Sequence, residues 1–293
     1  MSSRNTALRQ PGNPLGNLLR HWRNVRGRNQ LDLSIEAGVS QRHISFIESG
    51  RSVPSRQTLL EIAQVLDVPL RERNSLLLSA GYAPLFSEAA WNSAQMQSIT
   101  KALERILHQH EPFPAFVMDR YWNVLMTNES APRFFDCFFD MSQRKGPRNM
   151  LHVVFDPDGM RPFVENWDEV AGSLLQRVRT EATGRVIDEK TRELLAALLA
   201  YPGARASSTK QIQRRSSWSD LGQTFQTNSA TGGPILPIIP LSFRKDETVL
   251  NYFSMVTTVG TPQTVAAQEL RIETMFPADE ETEREHLLLL KEA

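Results

Sequence analysis

Leu33-Ser-Ile-Glu-Ala-Gly-Val-Ser-Gln-Arg-His-Ile-Ser-Phe-Ile-Glu48 is the stretch that decides how this chain is read. Two short amphipathic segments flank Ala37-Gly38-Val39, the small, glycine and apolar residues that a sharp joint between two helices requires. Gly38 takes a left-handed backbone at low cost. Ser40 is placed to cap the second segment. Ile44 and Ile47 fall on its inner face, which leaves Gln41, Arg42, His43 and Ser45 pointing outward near its start. Polar side chains at that end of the second helix suit base edges in the major groove of duplex DNA. Gln pairs bidentately with adenine and Arg with guanine.

The flanks extend the same texture. Leu15, Leu18, Leu19, Trp22 and Val25 recur at helical spacing before Gly27. Asn29 caps a helix ending at Gly38, and Ser55 caps another that turns Leu59, Ile62, Ala63 and Leu66 inward. A fifth helix starts near Pro69 and carries Leu76, Leu77 and Leu78. Residues 14–82 are thus expected to be an all-α, five-helix, helix-turn-helix domain, preceded by a flexible arm over 1–13. The chain as a whole balances 33 basic against 33 acidic residues. Residues 1–82 nevertheless hold 11 Arg, no Lys and 6 acids, a net of +5. Arginine alone as the cation suits bidentate phosphate contacts.

These residues resemble the Cro/repressor, or xenobiotic-response-element, family of helix-turn-helix domains over roughly Leu15–Leu66. The shared pattern runs Gln30, Leu33, Ala37-Gly38-Val39-Ser40, Ile44-Ser45, Ile47-Glu48, Gly50, Pro54-Ser55 and Leu59. The resemblance implies an ion pair between Glu48 and a helix-1 arginine, Arg23. It also implies phosphate contacts by Gln30, Arg51 and Ser55, beside base contacts by Gln41, Arg42, His43 and Ser45 and with Ser40 at the helix start. The expected partner is a double-stranded DNA operator, read by a homodimer.

Beyond a linker helix over 83–105 the texture changes. Ala115–Met118 and Val124–Asn128 read as strands joined by Asp119–Asn123, with a Phe-rich helix around Pro132–Phe139. Asp168–Thr183 and Asp188–Tyr201 read as helices, and Leu236–Phe243 and Val249–Val259 as antiparallel strands. Pro237 and Pro240 confine the first of that pair to an edge or a bulge. Residues 106–276 are expected to form a PAS-like antiparallel sheet with helices, which makes the chain α+β with two domains. Residues 277–293, with 6 acids against 2 bases, read as an acidic C-terminal tail. Phe116, Met118, Leu125, Phe135, Phe253 and Met255 are taken to face a cavity between sheet and helices. Strict alternation along a strand puts Phe253 and Met255 on one face.

Phe113–Asn128, Asn149–Phe155, Asn166-Trp167-Asp168 with Ala171, and Leu236–Val259 are similar to the MmyB-type transcription regulators, with Thr127 standing where these proteins usually carry Trp. That resemblance implies a ligand-binding second domain and a small apolar effector such as a fatty acid. The rival expectation is a second domain that serves only dimerisation or protein contacts.

Other classes find little support. No Gly-x-Gly-x-x-Gly, P-loop, Gly-x-Ser-x-Gly or His-Glu-x-x-His occurs. His108 and His110, two apart on a helix, point to different sides. Cys137, the sole cysteine, sits among Phe residues. His152 or His108 alone would suffice as a haem axial ligand, but nothing beside them suggests haem. The reading therefore assigns no catalytic residue, no metal and no cofactor. No apolar run approaches the ~20 residues of a membrane span. The N-terminus lacks the apolar middle of a secretory signal, so the expected compartment is the cytoplasm.

Overall fold

A computed structural model describes residues 13–88, 91, 93–181, 188–205 and 240–292. The chain divides into two units: residues 1–89 with 263–268, and residues 90–262 with 269–293.

The first unit is built from α1 (Pro14–Val25), α2 (Gln30–Ala37), α3 (Gln41–Glu48), α4 (Arg56–Val65) and α5 (Leu70–Ser79). Short polar side chains start four of them. Asn13 accepts from the Gly16 amide, Asn29 and Asp32 form a reciprocal capping box, and Ser40 and Ser55 accept from the His43 and Thr58 amides. Each cap satisfies a helical N–H that would otherwise be unpaired, so the helix boundaries follow directly from the sequence. Leu19, Trp22, Leu33, Ile44, Ile47, Leu59, Ile62 and Leu66 close the core. At α5 the cap residue is Pro69, which has no acceptor side chain. Gln268, far along the chain, supplies one: its Oε1 accepts from the Leu70 amide at 2.7 Å. Val265 N also donates to Ser87 O, and Val265 and Ala267 are buried. Residues 263–268, which fall within the 106–276 span expected for the second domain, cluster with the first unit.

The second unit is a five-stranded antiparallel sheet with helices, in the α+β class expected. Its strands are β1 (Ala115–Met118), β2 (Val124–Thr127), β3 (Pro240–Lys245), β4 (Thr248–Thr257) and β5 (Arg271–Pro277), in the order β2-β1-β5-β4-β3. Two hairpins flank β5, which pairs with β1 on one side and β4 on the other. The proline at the start of β3 lies on an edge strand, where a missing N–H is tolerated.

The helices are α6 (Gln97–Gln109), α7 (Ser130–Asp136), α8 (Met150–Phe155), α9 (Trp167–Glu181), α10 (Glu189–Ala200), α11 (Val265–Glu269, which begins in the first unit) and α12 (Glu280–Glu292). One sheet face, with Phe116, Met118, Leu250, Tyr252 and Met275, packs into a core with Phe134, Phe155, Leu175 and Leu198 from α7 to α10. The segment read as an acidic tail is α12. Leu290 joins the core, and His286 is fully buried between the Tyr252 hydroxyl at 2.7 Å and the Pro112 carbonyl at 3.0 Å. Glu280, Glu281 and Glu283 are exposed at its start, so composition alone concealed a packed stripe. The expected arm over 1–13 falls largely outside the described residues, as do residues 236–239 and most of the polar stretch 204–234.

Candidate functional site

The first site is the outer surface of α3. Gln41 and Arg42 are exposed, and His43 and Ser45 half-buried, while Ile44 and Ile47 are fully buried behind them. The Arg42 and Arg51 guanidinia lie 5.2 and 5.7 Å from the centre of the Phe46 ring. Phe46 is thus in reach of two cations. Ser40 and Ser55 are exposed and occupied as caps.

Helix α3 is held from behind by α1. Arg23 donates through Nε to Glu48 Oε1 at 2.6 Å and through Nη2 to Oε2 at 3.0 Å. Gln30 donates to the same carboxylate at 2.9 Å, and Arg20 stands 3.5 Å away. This bond uses one of the two Nε2 hydrogens of Gln30 and fixes the side chain beside the start of α2. Burial pushes the Glu48 carboxyl up, but the hydrogen bonds from Arg23 and Gln30 and the charges of Arg23 and Arg20 outweigh it and hold the group below its ordinary value. Three more residues escaped the sequence reading. Asn13 and Arg20 donate to the Glu48 carbonyl at 3.2 and 3.0 Å, and Gly16 lets α1 approach it so closely that a Cβ would collide. A glycine inside an apolar helix face was the available signal.

The second site lies wholly within the second unit. It is a cavity of about 320 Å³, at the small end of the range of ~300–1,000 Å³ for ligand pockets. Phe116, Val124 and Thr127 of the β1–β2 hairpin form one wall and Ala131, Pro132 and Phe135 of α7 another. Met150 and Val153 of α8 add a third, and the connection over 141–148 closes the cavity with Met141, Arg144, Gly146 and Arg148. That connection is tied to β2, since Val124 N donates to Arg148 O at 3.0 Å.

Of the six residues expected here, Phe116 and Phe135 line the cavity. Met118 is buried in the core beyond it. Leu125 is displaced by a β-bulge: Val117 pairs with Met126 and Met118 with Val124, so Leu125 is the extra residue. The bulge resets the alternation and turns Val124 and Thr127, three apart, to the same side. Phe253 and Met255 lie on the opposite sheet face from Tyr252; Phe253 stacks on Phe276 and Met255 is 52% exposed. A strict period of two predicts that the pair share a face, but not which face.

Among the described residues, no group of three or more His, Cys, Asp or Glu is arranged to hold a metal ion. In the same set, no helix is long and apolar enough to cross a membrane. His152 is half-buried and bonded through Nδ1 to the Tyr201 hydroxyl at 3.0 Å. Burial and the nearby Arg144 charge depress its imidazole. Cys137 is half-buried, and burial raises its thiol, which disfavours a reactive thiolate.

Comparison with protein families matches residues 14–76 to a helix-turn-helix domain and residues 99–228 to the MmyB-like transcription regulator ligand binding domain. The first match contains the α3 surface and its Glu48 cluster; the second contains every residue lining the cavity. No curated protein matches the chain.

Proposed function

We propose that this chain, which carries the helix-turn-helix and ligand-binding domains of an MmyB-like transcription regulator, binds its operator in a manner set by a small apolar effector held in the β1–β2/α7/α8 cavity. The observation that carries this reading is the cavity itself: an apolar space of about 320 Å³ inside the domain that the ligand-binding family model matches. Apolar surface transferred from water into such a space contributes ~25 cal/mol per Å². A fatty acid is one effector of this kind.

Gln41, Arg42, His43 and Ser45 read base edges, and Ser40, Arg51 and Ser55 lie beside the phosphates. Two copies of the chain engage two half-sites. The effector changes operator affinity only as far as it binds the two conformers unequally.

The test begins with selection of a tight-binding duplex in vitro and extraction of small molecules from the purified full-length protein. A recovered apolar compound that shifts thermal unfolding supports the reading. A protein that yields none, and whose unfolding no fatty or aromatic acid shifts, supports a second domain used only for dimerisation or protein contacts.

A further inference from the structure

The last turn of α3 is completed by a residue that precedes α1. We propose that Asn13 is a positioning residue for base reading: it fastens the C-terminal end of α3 to the start of α1 and so sets the angle at which Gln41, Arg42, His43 and Ser45 are presented. This rests on reading α3 as the helix that meets the bases. A helix leaves its final carbonyls without intrahelical donors. The Ser45, Phe46 and Ile47 carbonyls of α3 accept from the backbone amides of Ser49, Arg51 and Gly50. The Glu48 carbonyl is met by side chains instead: Asn13 Nδ2 donates to it at 3.2 Å and Arg20 Nη2 at 3.0 Å. Asn13 Nδ2 also reaches the Ile47 carbonyl at 3.3 Å.

The other end of the same amide caps α1, where Oδ1 accepts from the Gly16 amide at 3.0 Å. One short side chain thus closes the start of one helix and the end of another. Asn, Asp and Ser are about equally good as N-caps. Of the three, only Asn pairs that acceptor with an N–H group, which the two α3 carbonyls require. The side chain is also wedged in place, because a Cβ on Gly16 or on Gly50 would collide with its Nδ2. Arg23 grips the end of the flexible Glu48 side chain, whereas Asn13 holds the α3 backbone itself. Asn13 lies just before the 14–76 family match, at the end of the segment expected to be a loose arm. Base-edge contacts must be held to within ~0.5 Å, while attraction to phosphate is independent of sequence. Loosening α3 therefore costs discrimination between duplexes more than affinity for DNA as such.

The experiment measures, by fluorescence anisotropy at one salt concentration, the affinity of the full-length protein for the selected duplex and for a random duplex of equal length. N13S and N13D keep a cap for α1 but lose the donor to α3; N13A loses both. N13S and N13D should each lower the selected-to-random affinity ratio roughly three- to ten-fold, the worth of a hydrogen bond or two. Affinity for the random duplex should change by less than about two-fold. N13A should lower the ratio as far as N13S does, yet melt at a lower temperature than N13S, since it alone loses the α1 cap. Discrimination then follows the donor and stability follows the cap, a separation that a merely structural role would not produce. An unchanged ratio in N13S and N13D, or a ratio that falls only in N13A along with its melting temperature, overturns the assignment. Arg42→Ala is the control. If it lowers the ratio while N13S does not, the Asn13 assignment alone falls; if neither does, the reading of α3 as the base-contacting helix falls as well.

Discussion

Glu48 is the residue on which the orientation of α3 turns. It is buried, and Arg23, Gln30 and Arg20 converge on its carboxylate. Removing one partner of a buried pair leaves an uncompensated charge, so R23A or E48A should each cost ~3–5 kcal/mol. A double-mutant cycle by urea unfolding should show strong coupling; additive losses would mean that the two side chains act independently. Because the folded Glu48 carboxyl lies below its unfolded value, the stability it contributes is present above the ordinary pKa of ~4.3 and is lost as pH falls through the folded value. Acid unfolding of E48Q should therefore be shallower than that of the parent. Gly16 permits a sharper prediction. Helix propensity favours Gly16→Ala by ~1 kcal/mol, but the new Cβ meets the Glu48 carbonyl, a backbone atom that cannot swing away. The variant should be destabilised, by ~1–3 kcal/mol as in overpacked cores, and a rise in unfolding midpoint would contradict the close approach. On the outer side, Arg42→Ala should cost ~1–3 kcal/mol on the selected duplex and far less on random DNA, as measured by fluorescence anisotropy.

At the scale of elements, the first unit was legible because its signals are local. Asn29, Ser40 and Ser55 mark helix starts, Gly38 at φ +63° marks the turn, and Ile44 and Ile47 mark the inner face, all within a few residues of one another. The cavity was not, because its geometry depends on pairings distant in sequence. The bulge at Leu125 exists only in register with β1, and the burial of Arg144 depends on the path of the 141–148 connection. The α5 cap comes from Gln268, and α12 hid its apolar stripe behind six acids counted from 277 onward. Val124, on the cavity wall, is the position to fill: Val124→Trp should abolish the shift of thermal unfolding by dodecanoate while the protein stays folded. Helix α12 carries its own test. His286 Nε2 faces Pro112 O, Nδ1 faces the Tyr252 hydroxyl, and burial holds the imidazole below its ordinary value. An unfolded imidazole titrates near ~6.5, so its contribution is complete above that pH and declines as pH falls below it. Urea unfolding of H286Q between about pH 7.5 and pH 5 should show a smaller decline than the parent, though from lower overall stability; an unchanged slope would place the titration elsewhere.

Across the whole molecule, charge and chemistry are partitioned: the helical N-terminal part is net basic through arginine alone, and the remainder holds the apolar cavity and the balancing acids. A single helix-turn-helix reads few bases, so the full chain is expected to be a dimer spanning half-sites ~34 Å apart. Light scattering that gives one chain's mass both with and without the selected duplex would contradict this. If cavity occupancy sets operator affinity, anisotropy titration of the selected duplex with the full-length protein, with and without saturating dodecanoate, separates the parent from Val124→Trp. Dodecanoate should move the operator Kd of the parent and leave that of the filled variant unmoved. An operator Kd that stays the same in the parent, with dodecanoate shown to be bound, would contradict it.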